Sequence, residues 1–130
     1  MSIVVHNQEV STVKELLEEI ARRRAVGEVT ALATVVRTKG STPRKAGAKM
    51  LILPDGKILG TIGGGCGEAD VWSEATESIR DGVPRLVQVD LTIDTAEDTG
   101  MICGGIMDIL IEPIENVDPG ERRSRRVPSA

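Results

Sequence analysis

Residues 60–68 (Gly-Thr-Ile-Gly-Gly-Gly-Cys-Gly-Glu) constrain this chain more than any other stretch. A strand-like apolar run, 57–62, leads into them, and a helical pattern begins near Ala69 on the far side. Three consecutive glycines carry no β-carbon, so the backbone can turn sharply there and a ligand can approach it closely. A helix starting just beyond would aim its unpaired N–H groups and the positive end of its dipole back at the turn. That arrangement suits an anion or a thiolate, and Cys66 sits inside it. The plainer alternative is a tight strand-to-helix turn around a buried, inert Cys66, since such loops bind phosphates in some folds and merely turn in others. The stretch is not a P-loop, because no Lys-Ser or Lys-Thr follows it. Nor is it a dinucleotide fingerprint, because Gly63, Gly65 and Glu68 stand where three glycines are required.

The flanking segments set the frame. Thr12 with Glu15 three residues on makes a capping box. Val13, Leu16, Leu17, Ile20 and Ala21 then recur at helical spacing, Arg22–Arg24 fall in the last turn, and Gly27 is a natural stop. Residues 28–38 are β-branched or small on both faces, as in a strand buried on both sides. They run into a loop, 37–47, holding four cations, three hydroxyls, two glycines and Pro43. Strands at 48–53 and 57–62 are joined by Pro54-Asp55-Gly56, a hairpin signal. The basic loop enters this hairpin and the glycine loop leaves it, so antiparallel pairing can bring both to one sheet end. Ala69, Trp72, Ala75, Thr76 and Ile79 trace a second helix ended by Gly82 and Pro84. A strand at 85–91, an acidic connection, Gly100-Met101-Ile102-Cys103-Gly104-Gly105 and a last strand at 106–114 follow. The order α-β-ββ-α-β-β predicts an α+β fold, a mixed or antiparallel sheet of about five strands with two main helices packed on it. Residues 1–115 read as one domain opening on a loose arm, and 116–130 as a flexible tail or truncated linker.

Composition removes several function classes. With no Phe, no Tyr and one Trp among 130 residues, the core must be aliphatic and there is no aromatic platform for stacking nucleobases. The net charge of −4 likewise argues against nucleic acid. No apolar run approaches membrane-spanning length and the start lacks a secretory pattern, so the expectation is a cytoplasmic protein with no membrane partner. Its two cysteines then read as free thiols. His6, the sole histidine, has no neighbouring partner from which to build a hydrolytic triad. The acidic residues of 90–98 lack the calcium-loop pattern.

Two glycine-flanked cysteines, Cys66 and Cys103, leave three uses open. Cys66 near a helix start, with Arg44 or Lys45 close, could react as a thiolate. Either thiolate could ligate a soft metal, although structural zinc typically wants four Cys or His ligands. Or both simply pack as small hydrophobes.

With these residues assembled, the sequence resembles the N-terminal domain of the XdhC/CoxI family, the maturation factors of xanthine and carbon monoxide dehydrogenases. The resemblance runs from about Thr12 to Pro113. It rests on Gly40-Ser41-Thr42-Pro43-Arg44 with Gly47, on Gly60-Thr61-Ile62-Gly63-Gly64-Gly65 followed by Glu68, and on Cys103-Gly104-Gly105 before the last strand. It implies a non-catalytic chaperone that binds the molybdenum cofactor (molybdopterin) transiently, assists its sulfuration with a cysteine desulfurase and helps insert it into a molybdenum hydroxylase. The cofactor-binding residues it implies are Ser41, Arg44, Lys45, Gly63, Gly64, Gly65, Cys66, Glu68, Cys103, Gly104 and Gly105, with Cys103 nearest the metal. Longer members continue into a Rossmann-like C-terminal domain, so a separate Rossmann-like partner chain is an expected partner here, and a homodimer stays open. The rival reading is a thiol-dependent sulfur-transfer or redox enzyme using Cys66 and Cys103 as a pair.

Overall fold

A computed structural model describes residues 12–42, 44–62, 67–92 and 104–115. The first helix, α1 (Val13–Ala25), begins at the expected capping box: the Thr12 hydroxyl accepts from the Glu15 backbone N–H at 3.1 Å, and the Glu15 carboxylate accepts from the Thr12 N–H at 3.3 Å. It ends in Arg22, Arg23 and Arg24, with Gly27 at φ 86° turning the chain away. Five strands follow: β1 (Thr30–Lys39), β2 (Lys49–Ile52), β3 (Ile58–Gly60), β4 (Arg85–Asp90) and β5 (Ile106–Ile114), with α2 (Glu68–Asp81) between β3 and β4. The sheet order is β3-β2-β1-β5-β4 and every pairing is antiparallel. The fold is therefore the expected α+β arrangement, its sheet antiparallel throughout. Strand ends differ from the sequence reading by one or two residues, as element ends commonly do.

The two sheet faces are covered unequally. On one, α2 lays Val71 and Ala75 over Ala31, Ala33, Val35, Ile109 and their neighbours, forming the larger aliphatic core. The small Ala31 and Ala33 at the centre of β1 let the helix sit close. On the other face α1 contributes Leu16 and Ile20 to a cluster with Leu32, Leu51, Leu53 and Leu59. Each such fully buried leucine stabilises the fold by about 2 kcal/mol. Val13 and Leu17 share the helical periodicity yet stay exposed. α1 covers the β3-β2-β1 side, where Ile114 at the end of β5 joins its cluster, and leaves most of β5 and β4 bare on that face, with Leu86 65% exposed. One irregularity interrupts β1: the ladder with β5 shifts register between Val35 and Arg37, making Val36 a bulge.

The sheet also has two unlike ends. At one, short connections join α1 to β1, β2 to β3 and α2 to β4. The hairpin turn there is pinned from two sides, since the Lys57 N–H donates to Asp55 at 3.0 Å and Trp72 Nε1–H donates to the Gly56 carbonyl at 2.9 Å. At the other end β1, β3 and β4 finish while β2 and β5 begin. The connections 40–48, 61–67 and 91–105 all leave from there.

Candidate functional site

All three motif-bearing loops thus spring from one sheet end. The basic loop is closed at its base by backbone bonds: Gly47 N–H donates to Val35 O at 2.7 Å, and Ala48 N–H to Lys45 O at 3.1 Å. Thr42 steadies its outer half by donating its hydroxyl to Arg44 O at 2.9 Å. Arg44 and Lys45 sit exposed on this loop, and neither side chain has an ion-pair partner among the described residues.

The Gly104–Gly105 segment packs directly against the start of this loop. A β-carbon on Gly105 would lie 2.5 Å from Ser41 O and 2.7 Å from Lys39 O, and one on Gly40 would lie 3.1 Å from Gly104 O. Only hydrogen-sized side chains allow this backbone-on-backbone approach. Ser41 therefore meets Gly105 through its carbonyl, and the residue is exposed. Gly105 also fixes the end of β4, its carbonyl accepting from the Leu91 N–H at 2.8 Å. Gly104 is exposed, with open space where a β-carbon would stand. A bound group could approach its backbone without steric hindrance.

Glu68 opens α2 and reaches back across the glycine loop. One carboxylate oxygen accepts from the Thr61 hydroxyl and from the Ile62 N–H at 3.2 Å, clasping the strand side of the loop to the helix side. A carboxylate in the first turn also suits the helix dipole. Gly67, at φ 75°, seats the helix start on β4: a β-carbon there would meet Val89 Cγ1 at 2.4 Å. Of the sequence candidates, the fold brings Ser41 together with Gly104 and Gly105, sets Arg44 and Lys45 on the same sheet end, and makes Glu68 a loop clasp. Gly63, Gly64, Gly65, Cys66, Cys103, Pro43 and His6 lie outside the described residues.

Sequence reasoning passed over a polar cluster on β1, β5 and β4. Arg37 donates through Nε to one oxygen of Asp108 at 2.6 Å, with Nη2 in ion-pair contact with the same oxygen at 2.6 Å, and Gln88 donates to the other at 3.2 Å. The Arg37 guanidinium, then Gln88, hold the Asp108 carboxyl below the ordinary carboxylate range. Arg37 and Asp108 are 71 residues apart, so nothing local in the sequence announces the pair. Among the described residues no group of three or more metal-ligating side chains clusters, and no helix is long and apolar enough to cross a membrane.

Comparison with known proteins agrees with this architecture. The sequence model of the XdhC and CoxI family matches residues 23–90. A probable xanthine dehydrogenase subunit of Bacillus subtilis (strain 168) is 35% identical over 89 residues, covering 67% of this chain and 27% of the relative. The molybdenum cofactor insertion chaperone PaoD of Escherichia coli (strain K12) is 29% identical over 93 residues, covering 72% of this chain and 29% of its own. The crystal structure of a xanthine dehydrogenase from Bacillus halodurans superposes with a TM-score of 0.65 at 32% identity, over 86% of this chain and 32% of that one. The chain spans under a third of the length of the curated relatives it matches. With the family's sequence model matching more than half of its residues, on the fold of a solved relative, the chain belongs to the XdhC and CoxI family.

Proposed function

We propose that this chain is a molybdenum-cofactor-binding chaperone that assists sulfuration of the cofactor and its insertion into a molybdenum hydroxylase of the xanthine or carbon monoxide dehydrogenase type. The observation that carries the reading is the gathering of three motif-bearing loops at one sheet end, two of them joined by the Gly40–Gly105 backbone contact. The described residues fit such a ligand. Arg44 and Lys45 offer two exposed cations to an anionic end, and Gly104 offers a backbone open to close approach. Ser41, Gly63, Gly64, Gly65, Cys66 and Glu68 complete the binding set on this reading, with Cys103 directed to the metal end. When bound, the cofactor supplies soft molybdenum–sulfur and dithiolene chemistry. The chain supplies a cationic rim, backbone donors and a thiolate matched to it. A cysteine desulfurase, the client hydroxylase and a separate Rossmann-like chain are its proposed partners in the cytoplasm. The PaoD name supports cofactor handling and the xanthine dehydrogenase names support the client class.

Anaerobic titration of the purified protein with released molybdenum cofactor tests this, with Cys66→Ala and Cys103→Ala alongside and each checked for folding. Saturable binding near one per chain, weakened by Cys103→Ala, is expected. A folded wild type that binds none refutes the reading for this chain. Turnover of a sulfur donor that needs both thiols would favour the enzyme reading instead.

A further inference from the structure

The β1 bulge has a consequence for charge placement. On β5, Met107, Ile109 and Ile111 belong to the core under α2, whereas Ile106, Asp108 and Leu110 face the side that α1 leaves bare. In an uninterrupted ladder Val36 would oppose Asp108, and Arg37 and Lys39 would both turn toward the α2 core. A one-residue slip swaps every following side chain between faces. The extra residue at Val36 instead sets Arg37 opposite Asp108 and Lys39 opposite Ile106. Two cations thereby stand on one face of one strand, about 7 Å apart along the backbone, at the sheet end from which the three loops spring.

They line a cleft of about 270 Å³ with Thr38, Gln88, Ile106 and Asp108. That is smaller than the roughly 300–1,000 Å³ of pockets that enclose drug-sized ligands, so it suits one end of a ligand. Its charge balance favours an anion. Both Asp108 oxygens are engaged, one by the Arg37 fork and the other by Gln88. The aspartate holds Arg37 through Nε and Nη2, while the arginine side chain remains 76% exposed and Nη1 stays available. Lys39 has no carboxylate partner among the described residues. Asp90, across Ile106 on β4, is turned to its own chain and accepts from Thr92. The free Nη1 of an arginine held in place by Asp108, beside a lysine that makes no ion pair among the described residues, offers two cationic donors to the oxygens of a phosphate.

We propose that the cleft between Arg37, Lys39, Gln88, Ile106 and Asp108 binds a phosphate group, that of the cofactor on the reading above, on which this assignment of the ligand rests. Inorganic phosphate is the first probe, titrated into 15N-labelled wild type, Lys39→Gln and Arg44→Gln/Lys45→Gln at constant ionic strength. Saturable shifts at the amides of Arg37, Lys39, Gln88 and Asp108, about fivefold weaker in Lys39→Gln as for loss of one exposed charge contact and retained in the loop double variant, are expected. Shifts that never saturate, or that are unchanged in Lys39→Gln, overturn the site. Released cofactor is the second probe. Weaker cofactor binding by Lys39→Gln supports the assignment. Unchanged cofactor binding beside weakened phosphate binding overturns the assignment to the cofactor. A wild type that takes phosphate in the cleft but binds no cofactor refutes the chaperone reading and upholds the anion site.

Discussion

The two ends of the sheet solve different problems. The hairpin end joins its elements by short connections, and its polar groups are turned inward on the fold: Trp72 to Gly56, Asp55 to Lys57, and Arg85 to Asp81 and Ser78. The loop end carries the longer connections, the run of glycines and three cations, Lys39, Arg44 and Lys45, that make no ion pair among the described residues. Partnered groups stabilise and unpartnered ones are available to a ligand, which is why binding residues concentrate on loops held by a rigid scaffold. The division is not absolute, because the base of the loop end is as tightly packed as the core. Gly40 and Gly105 touch backbone to backbone, and Glu68 clasps the glycine loop shut. The contrast therefore runs between the loop bases, which are structural, and the exposed side chains of Arg44 and Lys45 on the basic loop, which make no ion pair among the described residues.

Gly105→Ala should break this picture most severely. Its β-carbon would collide with two carbonyl oxygens and the Thr42 methyl, none of which can yield without moving β1 or its loop. A loss of about 3 kcal/mol in urea unfolding is expected, at the upper end of overpacking costs. Gly47→Ala serves as the control on the same end. Its site is open but its φ is +99°, so backbone strain alone should cost about 1 kcal/mol. Equal losses in the two variants would mean that the Gly40–Gly105 contact is not what holds the loops.

The hairpin end should lose less per side chain. Trp72→Phe keeps a ring against Gly56 but removes the indole donor, leaving the Gly56 carbonyl without that bond. About 1.5 kcal/mol is expected in the same assay. A smaller contribution there comes from Asp81, whose carboxyl the Arg85 guanidinium holds down to about 2. A carboxyl depressed in the folded state stabilises above its unfolded value of 3.8, and that stabilisation disappears as pH falls toward 2. Asp81→Asn should therefore be about 1 kcal/mol less stable than wild type at pH 6, and the two unfolding midpoints should converge near pH 2. A constant gap across that range would assign the loss to packing rather than charge.

Much of the scaffold was legible because its signals are local. Thr12 with Glu15, Pro54-Asp55-Gly56 and Gly82 with Pro84 each mark an element end within a few residues, and each marks one in the structure. The apolar stripe of α1 was legible as a helix but not as a depth. Val13 and Leu17 share the stripe yet stay exposed while Leu16 and Ile20 are buried, a difference that periodicity cannot report. The candidate site divides in the same way. Glycine and cysteine motifs draw the eye to the loops, whereas the Gly40–Gly105 contact and the Arg37–Asp108 pair depend on strand register. The bulge at Val36 is the clearest case. A valine in a β-branched run carries no local mark, yet it decides which face receives Arg37 and Lys39.

The smallest effect on stability belongs to the two cations of the basic loop, and there the comparison is sharpest. Arg44→Gln/Lys45→Gln removes two exposed charges that make no ion pair among the described residues, so the urea midpoint should move by less than about 0.5 kcal/mol. Cofactor affinity in the same variant should nonetheless fall about tenfold, the equivalent of 1.4 kcal/mol, and the difference from wild type should shrink as salt screens the contact. Trp72, the sole tryptophan, sits on the hairpin end and reports independently whether the scaffold is disturbed. Its fluorescence should be unchanged by the double substitution. A variant that loses affinity with an unaltered midpoint and an unaltered Trp72 signal separates binding from folding on the basic loop. A variant that loses stability instead shows that the two cations hold the loop in place, and the division between structural backbone and available side chains then fails.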